Sequence, residues 1–290
     1  MIEWNACARH FHIRDASSAA EYRAVEQIQK EAWGFDDVDV VPMSQLVAAQ
    51  WTGGMVLCAF QGDRMIGFIY GFPSHEGGRP SIHSHMLAVR RECRNLNAGF
   101  FLKIAQRERT LELGVSEITW TFDPLQSLNA HLNFAKLGVL SHRYVPNFYS
   151  DTSSPLHQGF SLDRLWVTWS INSERVKQRI REAEQAIHHD EPKTGPRRIS
   201  VDSAHVLVRS EGGRPLLADF TNLSQGDRCL VEIPGEINQL KQNNLAAALE
   251  WREATRAAFM VAIEAGFVVE EFLKLEGDRG PRRVYLLCRP

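Results

Sequence analysis

The chain of 290 residues is short of the features that announce a function outright. Its five cysteines, Cys7, Cys58, Cys93, Cys229 and Cys288, are odd in number and far apart, with no CxxC pair. That spacing offers neither a zinc site nor a disulfide framework, and the thiols read as reduced core residues of a cytoplasmic protein. Charge of one sign is also missing: 33 Lys and Arg stand against 35 Asp and Glu. A nucleic-acid binder normally shows a basic domain or stripe, so no nucleic-acid partner is expected. No apolar run approaches the roughly 18 residues of a membrane span, so no membrane partner is expected either. The opening Met-Ile-Glu-Trp-Asn-Ala-Cys has no apolar core of the kind a signal peptide needs.

Apolar residues are plentiful, at 44%. A chain of this length buries most of its unfolded surface and sits near the size at which one core becomes two. Three-residue apolar steps predict a helix over 19–33, with Ser18 and Glu21 as its capping box. A short helix follows over 43–51, then strands over 55–60 and 65–72 joined as a hairpin and a further strand over 81–89. A long helix to about Leu113 comes next, then a strand over 116–122, a helix over 126–137 and strands over 139–144 and 162–171. Twelve of the thirty residues 171–200 are charged, which predicts an exposed helix over 173–187 and a linker over 188–198. Strands over 199–209, 229–233, 267–275 and 283–288 and a helix over 245–265 complete a second α+β unit. The expected domains are 1–172, a charged helix and linker at 173–198, and 199–290.

Three local patterns carry chemistry. The segment Arg94-Asn95-Leu96-Asn97-Ala98-Gly99-Phe100 runs from a loop into a helix. Unsatisfied amides and the dipole at a helix start favour an anion there; a plain strand-to-helix turn is the simpler reading. His83 and His85, two apart on a strand, face one side, and histidine suits proton removal near neutral pH. Two satisfied strand histidines are the bland alternative, and a metal reading lacks a third ligand nearby, so no metal is expected. Arg252 and Arg256, four apart on a helix, can grip a carboxylate together or simply pair with Glu250 and Glu253. Trp120 either lines an acceptor cleft or is buried core.

The same residues resemble the GNAT superfamily of acyl-CoA-dependent N-acyltransferases over about residues 10–170. Arg94, Asn97 and Gly99 are similar to the Arg/Gln-x-x-Gly-x-Gly/Ala pyrophosphate loop, with Asn97 where a glycine is usual. Asn129 to Gly138 is similar to the late Asn-x-x-Ala/Leu-x-x-x-Tyr-x-x-x-Gly-Phe helix. His83-Ser-His-Met-Leu-Ala-Val89 is similar to the paired-histidine strand of the arylalkylamine acetyltransferases. The resemblance implies a GNAT-like mixed central β-sheet flanked by helices, of α+β or α/β class, with a smaller α+β unit added at the C-terminus. It implies acetyl-CoA or another acyl-CoA as co-substrate. The pyrophosphate would lie on the amides from Leu96 to Phe100, the thioester on the N–H groups of Leu87, Ala88 and Val89, and the pantetheine arm on Asn129. His83 and His85 would take the amine proton through water. The usual thiolate-protonating tyrosine is here Phe134, which leaves Tyr144 or Tyr149 to substitute or to line the acceptor pocket, or no acid at all. The implied reaction is transfer of an acetyl or other short acyl group to a primary amine of a small molecule such as an amino acid, with a homodimer as an allowed assembly. The rivals are a non-catalytic acyl-CoA sensor and a succinyl-CoA donor read by the arginine pair.

Overall fold

The structure, a computed structural model, describes residues 4–5, 11–149, 160–189, 199–201, 203–220, 223, 226–277 and 280–290. Cys7 and residues 190–198 of the expected linker lie outside them. The chain divides into two compact units, and the division falls between Trp120 and Thr121. The expected boundaries at 172 and 198 therefore lie inside the second unit.

In the first unit the order is β1 (Trp4–Asn5), β2 (His12–Asp15), α1 (Ala19–Trp33), α2 (Met43–Trp51), β3 (Met55–Gln61), β4 (Arg64–Glu76), β5 (Arg79–Val89), a 3-10 turn (Arg91–Leu96), α3 (Ala98–Glu112) and β6 (Glu117–Phe122), the last two residues of which belong to the second unit. Strands β1 to β5 pair antiparallel in chain order, and β6 lies parallel to β5. At the start of α1 the Ser18 hydroxyl accepts from the Glu21 N–H. The Glu21 carboxylate reaches one residue further back than expected, to the Ser17 N–H, and also pairs with Arg14. Tyr22, Val25 and Ile28 of α1 and Leu46 of α2 bury against Val56, Cys58, Phe68 and Tyr70 on one sheet face. Each such fully buried side chain contributes about 1.5–3 kcal/mol, and packing of this kind, more than helix propensity, holds α1 and α2. Side chains alternate along β4, so Gly71 points to the other face, where the Gln106 amide of α3 approaches it.

In the second unit a short α4 (Ser127–Ala130) passes into a π-helical turn (His131–Leu137). It is followed by β7 (Leu140–Val145), β8 (Arg164–Ser170), α5 (Glu174–His189), β9 (His205–Glu211), β10 (Arg214–Leu217) and β11 (Arg228–Ile233). Then come α6 (Ile237–Asn243), α7 (Leu245–Glu264), β12 (Val268–Leu275) and β13 (Arg282–Cys288). The strand order is β8-β7-β12-β13-β11-β9-β10, with only the β11–β9 pair parallel. Phe259 of α7 meets Tyr285 of β13 edge to face at 5.2 Å in its core. Three features depart from the sequence reading. The strand expected from Ile199 begins at His205, because Ala204 N–H closes a turn on Val201. The helix expected over 126–137 widens to π geometry, Gly138 N–H bonding Asn133 O. The elements α6 and β10 had no periodicity long enough to read. No helix among the described residues is long and apolar enough to cross a membrane.

Candidate active site

Strand β5 carries the site of the first unit. Its register against β4 pairs Tyr70 with Met86 but Gly71 with Ser84, so His85 is an extra, bulged residue. A bulge re-aims side chains locally, and His85 stays beside His83: both rings lie against Phe72, at 5.7 and 5.5 Å, and 6.3 Å from each other. The ladder between β5 and β6 has two rungs, Ile82–Ile118 and His83–Thr119. Beyond them β5 runs on to Val89 with no strand partner on its β6 side among the described residues of this unit.

His83 Nδ1 lies 3.2 Å from Thr119 Oγ1. Burial, with the neighbouring His85 and Lys103, pushes the His83 pKa down to about 4. Burial also lowers that of His85. Both rings are therefore neutral at neutral pH and carry a lone pair for a proton. Thr119 escaped the sequence reading; alternation along β6, which sets it on the His83 side of the sheet, is the signal that could have found it.

The pyrophosphate-loop candidate forms the turn into α3. Asn97 stands at the N-cap with φ 55° and ψ 20°, the left-handed region that favours glycine and, among other residues, asparagine. The Phe100 and Phe101 N–H groups already bond the Asn97 carbonyl, at 3.0 and 3.2 Å. The Phe100 amide is thus engaged within the helix, and Ala98 and Gly99 supply the leading amides of the first turn. Arg94 and Asn95 are exposed, Leu96 and Leu87 half-buried, and Ala88 and Val89 buried. A Cβ on Gly99 would meet Leu87 Cδ2 at 3.4 Å and Val89 Cγ2 at 3.9 Å, both ordinary contacts.

The residue that sequence reasoning missed altogether is Lys103 on α3. Its side chain is buried, in a stretch of α3 where Phe100, Phe101, Leu102, Ile104 and Ala105 are buried as well. Nζ donates to Ser84 Oγ at 2.8 Å and Gln106 Oε1 at 3.3 Å, and sits 3.5 Å from the centre of the Trp120 ring. Burial drives its pKa well below the usual lysine value. A lone lysine within an apolar helical run was the available signal. Trp120 is itself buried and presents its ring to Lys103.

The remaining candidates lie in the second unit. Asn129 is exposed on α4, whose N-cap is Gln126, so Asn129 does not cap that helix. Phe134 is buried, its ring against Phe122 and Tyr285. Tyr144 donates to Asp163 Oδ2 at 2.6 Å and stacks on Phe259; burial, then the Asp163 charge, raises its pKa. Tyr149 is exposed, with its ring beside Phe148 and Arg164. Arg256 grips both oxygens of the buried Asp163 at 2.8 Å. Arg252, 2% exposed, bonds Asp123 at 2.8 Å and covers the Phe160 ring. Each arginine thus holds an aspartate of this unit, Asp123 for Arg252 and Asp163 for Arg256, where the sequence had offered Glu250 and Glu253. Burial raises the Asp163 pKa, but bonds from Arg256, Tyr144 and the Asn147 N–H outweigh it and hold it below the ordinary value. Among the described residues no group of three or more His, Cys, Asp or Glu is placed to hold a metal ion.

No family model matches the chain, and no curated protein matches it in sequence. Among solved structures it is similar to the ribosomal-protein-S18-alanine N-acetyltransferase from Escherichia coli, at 14% identity and a TM-score of 0.45 over 56% of this chain and 95% of that one. It is also similar to a GNAT family acetyltransferase from Elizabethkingia anophelis with acetyl-CoA bound, at 14% and 0.44 over 56% and 98%. A third is an aminoglycoside 6'-N-acetyltransferase complexed with coenzyme A, at 15% and 0.42 over 56% and 98%.

Proposed function

We propose that the first unit is an acyltransferase of GNAT type, which moves an acetyl or other short acyl group from acyl-CoA to a primary amine of a small molecule. The observation that carries this reading is the form of β5. It holds two neutral histidines beside a bulge, loses its β6 partner just beyond the first of them, His83, and leads through a 3-10 turn and a left-handed Asn97 into α3. One strand thereby offers a base and unpaired backbone, and the helix start that follows offers amides for an anion.

The chemistry follows from proton bookkeeping. An amine reaches the site largely as ammonium, with no lone pair to attack. A lysine-type amine has a pKa of about 10.4 against about 6.5 for free histidine, and His83 is lower still. These rings therefore pass the proton on to water and do not store it. A desolvating pocket assists by disfavouring the charged amine. The free amine nitrogen then attacks the thioester carbonyl. Negative charge gathers on the carbonyl oxygen, where N–H groups of Leu87 to Val89 would receive it. The C–N bond forms, the C–S bond breaks with its electron pair leaving on the CoA sulfur as thiolate, and the second proton of the attacking nitrogen passes to water or to that thiolate. With phenylalanine at position 134, the thiolate departs without a tyrosine acid from that position. The test is release of free CoA from acyl-CoA across a panel of amines. Release that needs the acceptor supports transfer; tight CoA binding with no release under any acceptor makes the unit a sensor instead.

A further inference from the structure

The proposed chemistry leaves Lys103 without a task, and its position is costly. A buried ammonium without a carboxylate loses hydration that hydrogen bonds only partly restore, and an apolar side chain of similar volume is often the more stable choice. Lys103 is 3% exposed and has no carboxylate partner among the described residues. Its contacts are specific in place. His83 and Thr119 form the last rung between β5 and β6. The next residue on each strand is Ser84 and Trp120, and these two receive Nζ, one through a hydroxyl and the other through a ring face. One side chain from α3 therefore holds both strands where they part.

Building on the acyl-transfer reading, we infer that Lys103 is a positioning residue: it ties β5 to β6 behind their fork and so fixes the unpaired backbone of β5 that receives the thioester. The tie works through Ser84, which stands between the two histidines in sequence. A shift of Ser84 displaces the histidine bulge and the amides beyond it together. Misplacement of reacting groups by as little as about 1 Å costs on the order of 10²-fold in rate.

The test is Lys103→Met, which keeps an unbranched side chain one atom shorter and removes the nitrogen with its hydrogen bonds. The expected protein melts at the wild-type temperature or above it and binds CoA within about twofold of wild type. Its kcat falls about tenfold or more, with little change in KM for the amine, and hydrogen exchange over residues 84–89 accelerates. Ser84→Ala lowers kcat in the same direction, and the double variant is no slower than Lys103→Met, because both changes cut one tie. Wild-type kcat and exchange in Lys103→Met overturn the inference alone, as does a double variant with additive losses. A loss of melting temperature and CoA affinity that parallels the loss of kcat makes Lys103 merely structural. A wild-type protein that releases no CoA with any amine overturns the acyl-transfer reading, and the inference falls with it.

Discussion

His83 and Thr119 face each other across the last rung between β5 and β6, the imidazole Nδ1 3.2 Å from the threonine hydroxyl. The contact fixes the tilt of one ring of the histidine pair and leaves the other, on the bulge, set by Tyr70 and Phe72. Two rings with separate supports can substitute for one another as proton carriers.

Kinetics test that redundancy. His83→Ala and His85→Ala should each lower turnover by less than about tenfold, and the double variant by on the order of 10²-fold, the low end for general base catalysis. A double variant with wild-type turnover across the pH range and intact CoA affinity reduces the pair to strand packing.

The depressed pKa of His83 also sets a stability trend. The ring titrates near 6.5 when unfolded and at about 4 in place. Between those values the unfolded chain binds more protons, so stability falls as pH drops through that window. The contribution is at most about 3 kcal/mol at 1.36 kcal/mol per pH unit. Urea unfolding at pH 7 and pH 4.5 should show a smaller drop for His83→Ala than for wild type; equal drops would assign the acid sensitivity to other groups.

Position 99 separates folding from CoA binding. A Cβ there meets two methyl groups, of Leu87 and Val89, at ordinary contact distance, so Gly99→Ala should fold and bind CoA nearly as wild type. Gly99→Asp sets a carboxylate beside the expected phosphates and should weaken CoA about tenfold or more, with melting little changed. Calorimetric titration with CoA is the measurement, and unchanged affinity in folded Gly99→Asp would remove the pyrophosphate from this loop.

Arg256 is a different case, since its guanidinium is already used by Asp163, which is 0% exposed. Breaking a fully buried pair costs about 3–5 kcal/mol; with a third of the Arg256 side chain open, about 2–3 kcal/mol is expected for Arg256→Ala after allowing for solvent screening. Denaturant unfolding measures that loss, and KM for acidic and neutral substrates should change alike. A KM rise confined to acidic substrates would return Arg256 to reading a substrate carboxylate.

Periodicity and turn chemistry made most elements legible in the sequence. The three-residue steps of Tyr22, Val25 and Ile28 carried α1 to its observed ends, Ala19 and Trp33, because local spacing alone decides which side chains share a helix face. The left-handed turn at position 97 was legible as well: asparagine is the side chain that best tolerates the conformation found there. The facing of His83 and His85 was expected from strand alternation, but the bulge that sets it depends on a register against β4, and register is a property of two strands rather than one. The fork after His83 and Thr119 is likewise invisible in either strand by itself. Arg252 and Arg256 showed how far local reading goes astray: their helical neighbours Glu250 and Glu253 lay close in sequence, yet Asp123 and Asp163, brought in from distant positions, are the partners. Lys103 marks the limit most sharply. Its sequence neighbours told only that a cation sits in an apolar run, whereas its burial against Ser84 and Trp120 exists only once α3 has packed onto two strands that part beneath it.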